Sequence, residues 1–453
     1  MKTMWTKWTA WTTWILWLSI VIVVTALPES VIASTQIPAK PQDHPIALVG
    51  GTIHPVSGAD IPNSTIVFDK GKIVALGASV SIPADAEKID VTGKHVYPGM
   101  IDANTAIGLT EIGAVRATND RSETGPINPN AKAQVAVNPE SELIPVARSN
   151  GITMVLTDPS GGVISGTSAL LCLDGWTWEE MTFKAPVGMH VNWPSMVPRT
   201  AWWMQDSEEK QLENRDKALN DIRNAFADAR SYMTAKQAEA TPGVQYHSFD
   251  SRWEAMIPVL EGKLPIIVNA DQIQQIQAAV AFAEKEKVKL IICGGYDAPL
   301  CADLLKKNNV PVIVDGIHRD PMRNDDPYDA PFTVPDRLRQ AGVAYCISGG
   351  GEAANVRNLP YHVATAVTYG LPEDEGIKAI TLYPAQILGA ADRVGSLETG
   401  KDATIIVTTG NPLEIPTQVT MEFIQGKKID LSDKQKMLNE KYKEKYRQMG
   451  VGK

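Results

Sequence analysis

The stretch LPIIVNADQIQQIQAAVAFAEKEKVKLIICGGYDAPLCADLLKKNNVPVIV, from Leu264 to Val314, decides the fold class. Three short apolar runs, 264–268, 290–293 and 310–314, alternate with two amphipathic helical segments, 273–287 and 299–307. A strand with one wet face alternates apolar and polar residues. A strand apolar throughout is buried on both faces, as in a parallel sheet covered by helices. The pattern continues on both sides, with an earlier strand at 152–157, a helix at 334–341 and a further strand at 343–347. Unbroken alternation over this span predicts a closed (β/α)8, TIM-like barrel rather than an open doubly wound sheet. Residues 204–240, rich in Ala, Glu, Lys, Asp and Asn, read as a long helical insert, and residues 357–369, 373–382 and 385–388 as a helical block closing the barrel.

Outside this core the texture changes. Ala47-Leu-Val-Gly-Gly-Thr-Ile, Ser64-Thr-Ile-Val-Phe-Asp and Lys72-Ile-Val-Ala-Leu-Gly are β-branched runs separated by Gly, Pro, Asp and Asn, the mark of short strands joined by tight turns. Asp402-Ala-Thr-Ile-Ile-Val-Thr and Thr420-Met-Glu-Phe-Ile-Gln-Gly return to it near the other end. The expected organisation is a small composite β-sandwich domain from residues 46–97 and 400–429, a barrel over 98–399, a linker at 34–45 and a charged helical tail at 430–453. The tail reads as a solvated helix.

Residues 1–33 carry Lys2 and Lys7, a mostly apolar run over 8–27, and Val31-Ile32-Ala33. This order is that of a cleavable signal peptide, implying a secreted or periplasmic protein with no membrane attachment after cleavage. The run is also near spanning length, so an uncleaved anchor is the alternative. Across 453 residues, 43 Lys and Arg stand against 52 Asp and Glu, a formal charge of -9 that argues against a nucleic-acid partner. Cys172, Cys293, Cys301 and Cys346 are scattered, with no CxxC, and read as buried free thiols rather than a disulfide framework.

Four motifs in one order resemble the amidohydrolase superfamily, and within it the secreted, imidazolonepropionase-like branch. They are Val96-Tyr-Pro-Gly-Met-Ile-Asp102, Gly161-Gly-Val-Ile-Ser-Gly166 with the Gly294-Gly-Tyr-Asp-Ala298 turn, Ala379-Ile-Thr-Leu-Tyr-Pro-Ala-Gln-Ile-Leu-Gly389, and Val394-Gly-Ser-Leu-Glu-Thr-Gly-Lys-Asp-Ala403. The resemblance spans residues 46–424. It implies a hydrolase of carbon–nitrogen bonds, acting on an amide, cyclic amide or dipeptide-like substrate at the C-terminal ends of the barrel strands. Its cofactor would be a divalent metal such as Zn²⁺, which lowers the pKa of bound water and polarises the scissile carbonyl.

The family's metal ligands are an HxH pair after the first strand, two further His and an Asp ending the last strand. Those positions hold Asn104, Ala106, Asn269, Tyr296 and Gly349 here. Asn and Tyr are poor ligands for zinc, and Ala and Gly offer none. The seven His, at 44, 54, 95, 190, 247, 318 and 362, show no pair at i,i+2 or i,i+4; only His190 and His318 are placed near strand ends. Asp102, Asp271, Asp315 and Glu352 are the candidates for a harder ion, although Asp271 also reads as a helix N-cap before Ile273 and Asp315 as a turn residue beside Gly316. His318 and Asp320 read as a candidate acid–base pair or as a surface-loop pair. The pocket candidates are Asp102, Asn104, Asn269, Asp271, Tyr296 and His318. No metal or other cofactor is expected, and two functions remain open. One is an exported hydrolase. The other is an inactive descendant that binds a small amide-like molecule, alone, as a homo-oligomer, or beside an active homologous subunit.

Overall fold

The computed structural model describes residues 36–199 and 204–451. The segment read as a signal peptide lies outside the described residues. None of the described helices is long and apolar enough to cross a membrane.

Strands Ile266–Ala270, Leu290–Gly294, Val312–Asp315 and Tyr345–Ser348 pair in parallel, in chain order, with Met189–Asn192 parallel to the first of them. Each begins one face of the chain against the next, because successive side chains of a strand point to opposite sides. Ile267, Ile291, Ile313 and Cys346 pack into one buried cluster together with Ile101, Met154 and Leu156. Ile266, Val268, Ile292, Val312, Val314 and Ile347 pack into another, against helix residues Ile276, Ala279, Val280 and Leu338. Two apolar faces per strand are why no polar alternation is visible in these runs.

The first and third strands start two residues later than the apolar runs suggest, at Ile266 and Val312. Pro265 and Pro311 precede them, and proline has no N–H for a ladder. The helices are Ile273–Glu286, Ala302–Lys307 and Ala330–Ala341. Ile273–Glu286 buries Ile276, Ala279, Val280 and Ala283, a 3–4 spacing that forms one stripe.

Met100–Thr105 pairs in parallel with Ile152–Thr157. Ala169–Cys172 runs antiparallel on Ile152–Thr157, and Ile164–Thr167 runs antiparallel on Met189–Asn192. Only Ser168 separates these two strands, so one continuous run joins the two sheets. On the other side a bridge between Thr105 and Gly351 brings Met100–Thr105 beside the end of Tyr345–Ser348.

Strands from both ends of the chain form a single eight-stranded sheet. His95–Pro98 is parallel to Ile46–Ile53, and Ile405–Thr408 is antiparallel on His95–Pro98, followed by Val419–Ile424. Phe68 and Phe423 meet edge to face across its buried side, 5.0 Å apart. The insert is the helix Glu208–Ala238, begun by Ser207, whose hydroxyl accepts from the Lys210 amide, and it buries Leu219, Ile222, Phe226 and Ala229. Helix Lys434–Gln448 buries none of its residues.

Candidate functional site

A cavity of about 320 Å³ lies where the parallel strands end. Asn104, Asn269, Gly294 and Asp315 reach it from strand C-termini, and Asp158 from the position just after Ile152–Thr157. Arg121, Arg199, Asp271, Gly350, Gly351 and Glu352 complete its wall. The carboxyl ends of parallel strands are where loops alone shape the surface, so this is the ordinary place for a ligand in such a sheet.

Hydrogen bonds tie the strand-end residues to one another. Asn104 donates its amide Nδ2 to Asp315 Oδ1 at 2.8 Å, and the Ser348 hydroxyl donates to the same oxygen at 2.9 Å. Asn269 Nδ2 donates to Asn192 Oδ1 at 2.7 Å, and Asn192 in turn donates to the Gly162 carbonyl at 2.9 Å. Arg121 Nη2 holds Asp158 Oδ2 at 3.0 Å. Asp102 is fully buried below the cavity and accepts the amides of Asn104 and Gly349, both at 3.2 Å. Burial pushes the Asp102 carboxyl up to about 7 against those two hydrogen bonds, with the charges of Asp315 and Asp158 adding to it. Burial likewise raises Asp158 and Asp315 above the usual carboxylate range.

Of the remaining sequence candidates, Asp271 is in the cavity wall, while Tyr296, Ala106 and His318 are not in its lining. Tyr296 turns its hydroxyl outward to Asp326 at 2.8 Å, with Arg319 and Arg323 near its ring face. Asp271 is held by Arg319 at 3.2 Å and accepts the Tyr296 amide. It is not the cap anticipated for helix Ile273–Glu286: Asp297 accepts the Ile273 amide at 3.0 Å instead. Asp315 is not a plain turn residue either, since it ends a strand and binds Asn104 and Ser348. Ala106 packs in the apolar core. His318 does not meet Asp320. Its Nε2 pairs with the Thr365 hydroxyl at 2.8 Å, and its ring stacks on His362 at 4.0 Å. His54 and His95, forty-one residues apart, share a hydrogen bond at 2.8 Å. His190 is 1% exposed, neither ring nitrogen has a partner among the described residues, and burial with the nearby Arg121 charge pushes it down to about 3. Arg121, Asp158 and Arg199 were missed in the sequence. Asp158 was detectable, because it directly follows a strand; the arginines come from loops.

The donor set does not fit a zinc-type ion. Asn104 and Asn269 offer only neutral carboxamide oxygens, poor ligands for such an ion, and the Tyr296 hydroxyl is engaged by Asp326 and the Met322 amide. Gly349 has no room for a ligand side chain, because a Cβ there would lie 2.7 Å from Asp102 Oδ2. Among the described residues no group of three or more His, Cys, Asp or Glu is placed to hold a metal.

Residues 329–431 match the family model described as Amidohydrolase family. Amidohydrolase tasK of Hapsidospora irregularis is 22% identical over 381 residues, which cover 76% of this chain and 37% of that protein. The chain thus spans little more than a third of the curated relative it matches. The structure is similar to that of an amidohydrolase from Thermotoga maritima MSB8, with a TM-score of 0.76 and 26% identity over 85% of this chain and 99% of that one. A prolidase complexed with N-methylphosphonate-L-proline superimposes over the same 85% of this chain and 99% of its own, at a TM-score of 0.52 and 16% identity, which is a likeness of fold alone. Residues 329–431 are thus similar to the amidohydrolase family, and the solved structures that the chain resembles include an amidohydrolase.

Proposed function

We propose that this chain is an amidohydrolase-type barrel whose mouth binds a small amide-like molecule without metal-assisted hydrolysis. The barrel would run from Met100–Thr105 round to Tyr345–Ser348 and close through the Thr105–Gly351 bridge, with the antiparallel run 164–172 as its third member. The observation that carries the functional reading is the hydrogen bonding of the residues at the ligand positions. Asn104 to Asp315 and Asn269 to Asn192 are short side-chain bonds that fix neutral carboxamides, poor ligands for a zinc-type ion, where the family has imidazoles. They leave amide oxygens as acceptors and Arg121 and Arg199 as donors, a set suited to hydrogen-bonding a polar amide in a cavity of this size.

A hydrolase remains the second reading, favoured by the 26% identity to the Thermotoga maritima amidohydrolase. Elemental analysis of the purified protein separates the two, together with thermal midpoints in Zn²⁺ or Mn²⁺. The binding reading expects less than stoichiometric transition metal and no rise in midpoint, because a ligand stabilises only the state it binds. Stoichiometric metal with metal-dependent turnover of an amide would establish the hydrolase instead.

A further inference from the structure

The helical insert reaches the mouth through one side chain. Gln211, in the first turn of Glu208–Ala238, grips the peptide of Arg199 from both sides. Its Oε1 accepts the Arg199 amide at 2.9 Å, and its Nε2 donates to the Arg199 carbonyl at 3.0 Å. One turn further along the same helix face, Arg215 Nη1 donates to the Met196 carbonyl at 3.2 Å. The insert therefore fixes the backbone of the segment leading to Arg199 at two points. A side-chain amide that pairs both the N–H and the C=O of one residue imitates a strand neighbour and leaves that residue little freedom to turn.

The charges around the cavity are unequal in what they are free to do. Asp158 is taken by Arg121, Asp271 by Arg319, and Asp315 by Asn104 and Ser348. Among the described residues the Arg199 guanidinium has no acceptor, and it lines the cavity. Glu352 lines it as well, exposed and, among the described residues, without a donor within hydrogen-bond reach. Among the described residues one free cation and one free anion thus remain on a wall whose other charges are paired. The cavity has almost no apolar lining beyond Ala270 and Cys293, so a ligand held there must be held by polar contacts.

Resting on the reading of the mouth as an amide-binding site, we propose that its ligand is a small amide bearing a carboxylate, that Arg199 binds the carboxylate, and that Gln211 is the positioning residue that aims Arg199. A planar guanidinium matches a carboxylate through two parallel N–H···O bonds, whereas a neutral amide can accept only at one oxygen. Glu352 provides an acceptor for an N–H of the same molecule. The insert then has a definite role. It selects for charge on the ligand, because without it the Arg199 backbone would lose both its bonds, the other ties of this segment being at Trp193 and Ser195.

N-acetylglycine and its neutral isostere N-acetylglycinamide test this directly by isothermal titration calorimetry on the full chain. In the wild-type protein the carboxylate should bind at least tenfold more tightly than the neutral amide. Arg199→Gln should abolish that ratio, lowering affinity for N-acetylglycine by a larger factor than affinity for N-acetylglycinamide. Gln211→Leu should reduce the ratio in the same direction, and Gln211→Glu, which still accepts the Arg199 amide, should restore part of it. A merely structural role for Gln211 would lower both affinities together and leave the ratio unchanged, which would overturn its assignment as a positioning residue. Equal binding of the two probes to the wild type would overturn the carboxylate proposal and leave the amide-binding reading intact. Binding of neither probe would remove both.

Discussion

Glu422 offers the sharpest test of the energetics. It sits in strand Val419–Ile424 opposite Ile406, wholly buried, and among the described residues neither carboxylate oxygen has a hydrogen-bond partner. Arg148, whose charge acts on it, is already engaged: it gives Nη1 to Asp174 at 3.2 Å and to the Leu173 carbonyl at 3.0 Å, and Nη2 to Gln36. Asp174 also takes Lys427 at 2.6 Å. Burial pushes the Glu422 carboxyl well above its ordinary value; Arg148 and Lys436 oppose this and the Asp174 charge adds to it. The folded state therefore holds a proton that the unfolded chain gives up above pH 4.5. Stability from this group is complete below pH 4.5 and is lost as pH rises from there to the folded pKa, at about 1.4 kcal/mol per pH unit. For 453 residues the unfolding entropy is about 1 kcal/mol per kelvin, so the slope is about 1.4 °C per pH unit. Glu422→Gln has no proton to lose. Scanning calorimetry of both proteins from pH 5 upward should show the variant gaining on the wild type by about 1.4 °C per pH unit until the folded pKa is reached. Parallel profiles would show that Glu422 is ionised in the folded protein, and would refute the argument from burial.

Two further outcomes follow from neighbouring residues. His190 is held neutral in the folded protein and pushed down to about 3 from an unfolded value near 6.5, so its stabilising effect is present above pH 6.5 and is lost as pH falls toward 3. His190→Leu removes two unpaired buried nitrogens and should raise stability by about 1–3 kcal/mol, with a flatter acid limb in urea denaturation; an unchanged limb would mean the imidazole has a partner in solution. Gly349→Asp, which restores the residue type of the family's last ligand, should destabilise the fold by about 2–4 kcal/mol. Its Cβ would meet Asp102 Oδ2 at 2.7 Å and its carboxylate would join a buried carboxyl already raised to about 7; a thermal midpoint equal to wild type would show that the strand end can shift to make room.

Several features of this chain can be read without coordinates. The runs around Ile267, Ile291, Ile313 and Cys346 are apolar on both faces, and only a covered parallel sheet buries both faces of a short strand; that requirement is local and survives in a linear pattern. The departures at Asn104, Ala106, Asn269, Tyr296 and Gly349 are equally visible, because each sits at a fixed offset from a motif. Strand starts were misplaced where Pro265 and Pro311 stand, since apolarity marks burial and not the N–H a ladder needs. What the replacement residues do was decided only in three dimensions. Nothing along the chain says that Asn104 will meet Asp315, 211 positions away, that Asn269 will meet Asn192, or that His54 and His95 will share a hydrogen bond. The two Asn pairs form because parallel strands deliver their ends to one rim, and the two His meet because His95–Pro98 pairs with the end of Ile46–Ile53; the register in each case is set by the packing of both faces at once. The same packing leaves Glu422 and His190 without partners, because a side chain's burial is a property of all the elements around it, whereas its identity is a property of one position.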